Sequence, residues 1–147
     1  MSIRKTIRDN IKATLLADAT VAALVGTDVT IGQDNVTESV LWPAIYIVPV
    51  RDETDTHTMS VSRQQMRSMT LTIEYWVKPS SDSTPVEDDI DTGADAIANA
   101  TLADTTQGGS CADTLLTSID YMIEGREDGR YGVGRVSFTT KYFTQES

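Results

Sequence analysis

The chain has 147 residues, a length that suits one domain with a real hydrophobic core. Twelve Lys and Arg stand against 22 Asp and Glu, a formal charge of −10 that argues against tight nucleic-acid binding, which needs basic side chains to neutralise phosphates. The single cysteine, Cys111, excludes an internal disulfide, and no apolar run approaches the ~20 residues needed to span a bilayer.

Ile3, Ile7, Ile11 and Leu15 recur every four residues with charges between them, which predicts an amphipathic helix that Ser2 can cap. The same charges interrupt the stretch too regularly for a signal-peptide core, so a soluble protein retained in the cell that makes it is expected. "ADATVAALVG" continues as a short second helix stopped by Gly26, and "TDVTIG" reads as a short strand.

"LWPAIYIVPV" (41–50) then reads as a strand that is apolar on both faces, with Pro43 at its start and Pro49 near its end or on a sheet edge. The polar stretch 52–65 predicts a long connection at the tip of a hairpin. It is expected to be mobile in a free subunit because it holds too little apolar surface to pack alone. "RSMTLTIEYWVKP" alternates: Met69, Leu71, Ile73, Tyr75 and Val77 share one face, and Thr70, Thr72, Glu74 and Trp76 the other.

A second long helix follows, with Ser83 or Thr84 as cap, Pro85 in its first turn and Glu87, Asp88 and Asp89 at the positive end of its dipole. Ile90, Ala94, Ile97, Ala98 and Leu102 form its inner stripe. "TLLTSIDYMIEG" places Leu115, Ile119, Tyr121 and Ile123 on one face of a strand. After the turn "REDGRYG", a closing strand points Val136, Phe138 and Tyr142 inward. The whole is an α+β fold: a mainly antiparallel sheet with two helices packed on one face and a long β-hairpin arm at 52–65, in a single domain over 1–147.

The chemistry-bearing residues are sparse. Cys111 and His57 would need mutual contact and a third orienting group to act as nucleophile and base. "VEDDIDTG" spaces Asp89 and Asp91 like calcium ligands, but Gly93 stands where a third ligand belongs, so it reads as an acidic helix start. "YGVGRVSF" resembles an RNA-binding strand motif, yet Val133 and Arg135 replace the stacking aromatics, so it reads as a turn glycine pair before an amphipathic strand. The sequence holds no P-loop, no G-x-S-x-G and no zinc-ligand cluster. No catalytic, cofactor or metal residues are expected, and the chain does not read as an enzyme.

The unusual feature is the doubly apolar strand. Its second face needs cover, either from the hairpin arm or from a neighbouring subunit, since exposed apolar strand surface marks pairing sites. Ile45, Ile47, Val48 and Val50, with Arg51, Arg63 and Arg67 beside them, are therefore the expected subunit-interface residues. Acids are concentrated elsewhere: residues 82–128 carry twelve against Arg126 alone.

In order and texture the chain resembles the tail terminator proteins (tail completion, minor tail protein U-like) of long-tailed bacteriophages. The resemblance runs through "IRKTIRDNIKATLL", "LVGTDVTIG", "WPAIYIVP", "LTIEYWVK", "LADTTQGGS", "IDYMIEG" and "RVSFTTKYF". It implies a homo-oligomeric ring, a hexamer, that sits on the finished tail tube, stops its polymerisation and presents a surface to the head–tail connector. The partners implied are the tail tube protein and the neck protein. The location implied is the virion tail, assembled in the host cytoplasm, with no membrane and no cofactor. DNA would pass through without specific binding, and Asp52, Glu53, Asp55, Asp88, Asp89 and Asp91 are the acids expected to line the lumen or the surface, where they repel phosphates. The alternatives are another neck or tail-tube structural protein, or a small host-side binding module.

Overall fold

The structure is a computed structural model that describes residues 3–25, 29–31, 43–58, 64–78, 85–109, 111–126 and 129–145. Its elements in chain order are α1 (Ile3–Ala17), α2 (Ala19–Val25), β1 (Val29–Ile31), β2 (Ala44–Thr58), β3 (Gln64–Val77), α3 (Val86–Leu102), β4 (Asp113–Arg126) and β5 (Gly129–Gln145). The five strands form one sheet in the order β1-β2-β3-β5-β4. β1 runs parallel to β2, and every other pairing is antiparallel. The fold is α+β, as the sequence predicts.

The four-residue spacing of α1 buries Ile7, Ile11 and Leu15, and Ile3 packs at the edge of the same core. Asp18 caps α2 by accepting the Val21 amide at 3.0 Å. The cap expected from Ser2 and the stop expected from Gly26 lie outside the described residues. α3 begins at Val86, with Pro85 extended at its N-cap position and without a side-chain cap. Its first turn relies instead on Glu87, Asp88 and Asp89 against the helix dipole. Ser83 and Thr84 lie outside the described residues.

α1 and α3 cover one face of the sheet, with α2 packed against both. Beneath them lie Ile45 and Ile47 of β2, Met69, Leu71 and Ile73 of β3, and Val136 and Phe138 of β5, all essentially inaccessible. α3 approaches closely because Gly93 and alanines line its inner side and Gly134 lies beneath it on β5. A Cβ on Gly93 would collide with the Tyr75 ring, and one on Gly134 would stand 2.7 Å from Ile90 Cγ2. Gly134, which the sequence reads as part of a turn, is therefore a strand residue over which Ile90 rides. Gly93→Ala is expected to destabilise the protein by about 1–3 kcal/mol through overpacking, measured by urea unfolding.

β2 departs from expectation. The strand does not end near Pro49 but continues to Thr58, paired with β3 from Ala44↔Trp76 to Thr58↔Gln65. A register shift between Pro49 and Arg51 absorbs the proline in a bulge, the usual place for a residue that cannot donate to a ladder. Most of the stretch read as a connection, 52–58 and 64–65, is thus strand, with a further register shift between Thr54 and Thr58. Only its tip, with Arg63, lies outside the described residues.

The second face of β2 is covered in part from within the chain, and Tyr46 and Val48 stay half-buried there. Tyr46 packs edge-on against Trp76 (centroids 6.2 Å apart, planes at 83°), and Trp76 stacks on Tyr131 (5.7 Å, 7°). Val133 and Met122 complete this second, smaller cluster. Beside it Glu74 is buried, accepting Trp76 Nε1–H at 3.1 Å and Arg135 Nε–H at 3.0 Å. A buried carboxylate needs such partners.

β4 also carries a bulge, between Leu116 and Ser118. The extra residue reverses the alternation, so Leu115 faces away from the helices while Ile119, Tyr121 and Ile123 face toward them. The expected single apolar face of this strand is split in two.

Candidate functional site

The structure separates the residues that would be needed for catalysis. Cys111 is buried in the turn before β4, its thiol against the Thr105 carbonyl at 3.5 Å and Thr114 Oγ1 at 3.6 Å. Burial pushes its pKa up, away from a reactive thiolate. His57 belongs to β2, and β3 and β5 lie between that strand and β4, a separation of three strand spacings or about 14 Å. Among the described residues, no group of three or more His, Cys, Asp or Glu is placed to hold a metal ion. No helix among them is long and apolar enough to cross a membrane.

The turn before β4 is built by backbone capture. Asp104 accepts Thr106 N–H (3.1 Å), Thr106 Oγ1–H (2.8 Å) and Gly108 N–H (2.7 Å), which lower its pKa, the Gly108 bond most. Gln107 sits buried at φ 49°, donating to the Thr101 carbonyl and to Thr114 Oγ1 and accepting from Asn10 Nδ2 at 3.3 Å. This amide ties α1, α3 and β4 together, a structural role with no sequence motif.

The charged features converge at the two margins of the sheet. At the β2 margin, a cleft of about 360 Å³ is lined by Arg4 and Arg8 of α1, by Pro49, Val50, Arg51 and Asp52 of the bulge, and by Met69. Arg4 and Arg8 stand one helical turn apart, so they share a side of α1. Asp52 is almost covered, at 10% side-chain exposure, by Arg4 (3.4 Å), Arg67 (3.4 Å) and the Tyr142 hydroxyl, which donates to it at 2.6 Å. Burial alone would lower the Arg67 pKa; the Asp52 hydrogen bond and charge outweigh it and raise it. Arg51 pairs with Glu53 at 2.9 Å, both exposed.

At the β4 margin, Asp88, Asp91 and Asp95 stand exposed along α3. The Tyr121 hydroxyl of β4 donates to Asp91, and the Asp91 hydrogen bond, with the Asp91 and Asp95 charges, pushes the Tyr121 pKa up.

The residues expected at an interface or lumen divide accordingly. Ile45 and Ile47 belong to the chain's own core and offer no surface. Val48 is half-buried, and Val50 is 62% exposed. Arg51 faces solvent at the cleft, whereas Arg67 is turned inward onto Asp52. Asp52 is likewise an internal ion-pair partner and not an acidic surface residue. Glu53, Asp88 and Asp91 are exposed, and Asp89 is half-buried. The Asp55 side chain and Arg63 lie outside what the structure describes. The basic cleft itself was missed in the sequence, although the i,i+4 pair Arg4/Arg8 was its visible half.

Tyr142 and Tyr75 set an alkaline limit. Burial first, then the Asp52 hydrogen bond, pushes Tyr142 up to about 12; burial first, then the Asp89 charge, pushes Tyr75 up to about 12. Both phenols are held neutral in the fold beyond the unfolded value near 10. Their contribution is full below pH ~10 and is lost as the pH rises toward ~12. Phenolate absorbance followed alongside circular dichroism is expected to show these two groups titrating together with unfolding in that window.

No family model matches the chain, and no curated protein matches it. Among solved structures, it is similar to a chain of the virion of a native gene transfer agent particle. The TM-score is 0.53 at 14% sequence identity, over 91% of this chain and 92% of the other. The two share a fold across nearly their whole lengths.

Proposed function

We propose that the chain is a structural, non-catalytic virion subunit, a single domain that closes into a ring on the end of a tail tube. The observation that carries the virion role is the near full-length fold likeness to a chain of a gene transfer agent virion. The position at the tube end follows from the resemblance of the sequence to tail terminators, which stop tube growth and present a surface to the head connector. In that role the partners are further copies of itself, the tail tube protein and the neck protein.

The charge distribution supports the reading. A particle that passes DNA benefits from walls that do not bind it, and the charged residues of 82–128 are all acidic except Arg126. Removing the protein from the assembling virion tests the position. A terminator's absence leaves tubes of uncontrolled length without attached heads, and labelled protein decorates the head end of normal tails. A second structural position, in the neck or in the tube wall, leaves tails of normal length or no tails at all, and that result would replace this reading.

A further inference from the structure

Opposite margins of the sheet carry opposite charge. β1 pairs with β2 only at Ile45–Ile47, so Arg51 and the cleft lie beyond that pairing. Around this margin Arg4 and Arg67 pair with Asp52 and Arg51 with Glu53, and Arg8 lines the same cleft. Arg67 is turned inward, and Arg8 has no ion pair among the described residues. The result is a positive recess on a chain of charge −10. The other margin ends in β4, which pairs with β5 alone among the described strands. Above it stands the α3 stripe Asp88, Asp91 and Asp95, at i, i+3 and i+7 on one helical side. Apolar groups accompany each patch: Val50 at the recess, and Leu116, Tyr121 and Ile123 at the β4 margin are exposed.

We infer that the arginine cleft of one copy receives the acidic α3/β4 margin of the next, with Arg8 and Arg51 meeting Asp91 and Asp95. This rests on the ring reading and names its contact. The two patches differ from each other and lie at opposite ends of the strand order, so the contact is head-to-tail. Contacts of that kind repeat around a ring and close it when the rotation per copy divides a full turn. Charge complementarity then fixes orientation and suppresses like-with-like pairing, because two acidic margins repel.

The test compares three variants with the wild-type protein by mass measurement and circular dichroism. Arg8→Glu with Arg51→Glu, and separately Asp91→Arg with Asp95→Arg, are expected to stay folded and to self-associate at least about tenfold more weakly. The chain carrying all four changes restores opposite charges and is expected to re-form the wild-type assembly. Should a reversal disturb folding, Arg51→Gln and Asp95→Asn remove charge at exposed positions and are expected to weaken assembly in the same direction. Variants that assemble like wild type, or a four-change chain that stays dissociated while folded, overturn the contact and leave the ring standing. A wild-type protein that is monomeric at every concentration removes the ring and this contact together. Binding of a short duplex DNA that is lost in Arg8→Glu/Arg51→Glu, with assembly unchanged, would assign the cleft to phosphate and overturn the proposal.

Discussion

Ile47→Lys is expected to unfold the protein. The side chain is 0% exposed, between the helices and the sheet, with Ile73 opposite it on β3. Among the described residues, the apolar layer around it holds no carboxylate. An uncompensated buried charge costs on the order of 3–5 kcal/mol, a large share of the roughly 5–15 kcal/mol that holds a domain folded. Circular dichroism at ordinary temperature should show loss of structure or a strongly lowered midpoint. Val50→Lys, three residues on and 62% exposed, should fold normally. A folded Ile47→Lys chain that merely fails to oligomerise would contradict the placement of Ile47 in the core and return it to a subunit contact.

Trp76→Ala should cost about 3–5 kcal/mol, the range for a buried aromatic truncated to alanine. Trp76 is 5% exposed on the face of the sheet that the helices do not cover, stacked on Tyr131 and edge-on to Tyr46. Its loss also removes the 3.1 Å hydrogen bond to buried Glu74. Urea unfolding measures the effect. A loss below about 1 kcal/mol would show that the second face depends on something other than this aromatic cluster, and would reopen a role for a neighbouring subunit there.

How far the sequence could be read depended on whether a feature is periodic or paired across distance. Ile3, Ile7, Ile11 and Leu15 announce α1 by spacing alone, and the alternation from Met69 to Val77 gives β3 with both faces correctly assigned. Single-residue events broke the pattern. One extra residue at Pro49–Arg51 carries β2 onward through 52–58, where threonines at 54, 56 and 58 were the overlooked strand signal. Another at Thr117 flips Leu115 off the face of Ile119. The doubly apolar strand pointed to missing cover; Trp76, stacked on Tyr131, supplies it for Tyr46, with Tyr131 85 positions beyond Tyr46 and invisible to local pattern, while Val48 remains half-buried. Of the candidate site, Arg4 and Arg8 share a helix side by spacing. The arrival of Arg51 beside them depends on the bulge. The burial of Asp52 under Arg67 and Tyr142 depends on strand register, which the sequence does not print.

The ring is the central claim, and the purified protein tests it directly. Mass measurement across a range of concentrations, with negative-stain images of the same sample, is expected to give one closed ring whose mass is a fixed multiple of the 16.0 kDa chain. A protein that remains a monomer throughout, or that grows into open tubes of increasing length, would contradict it.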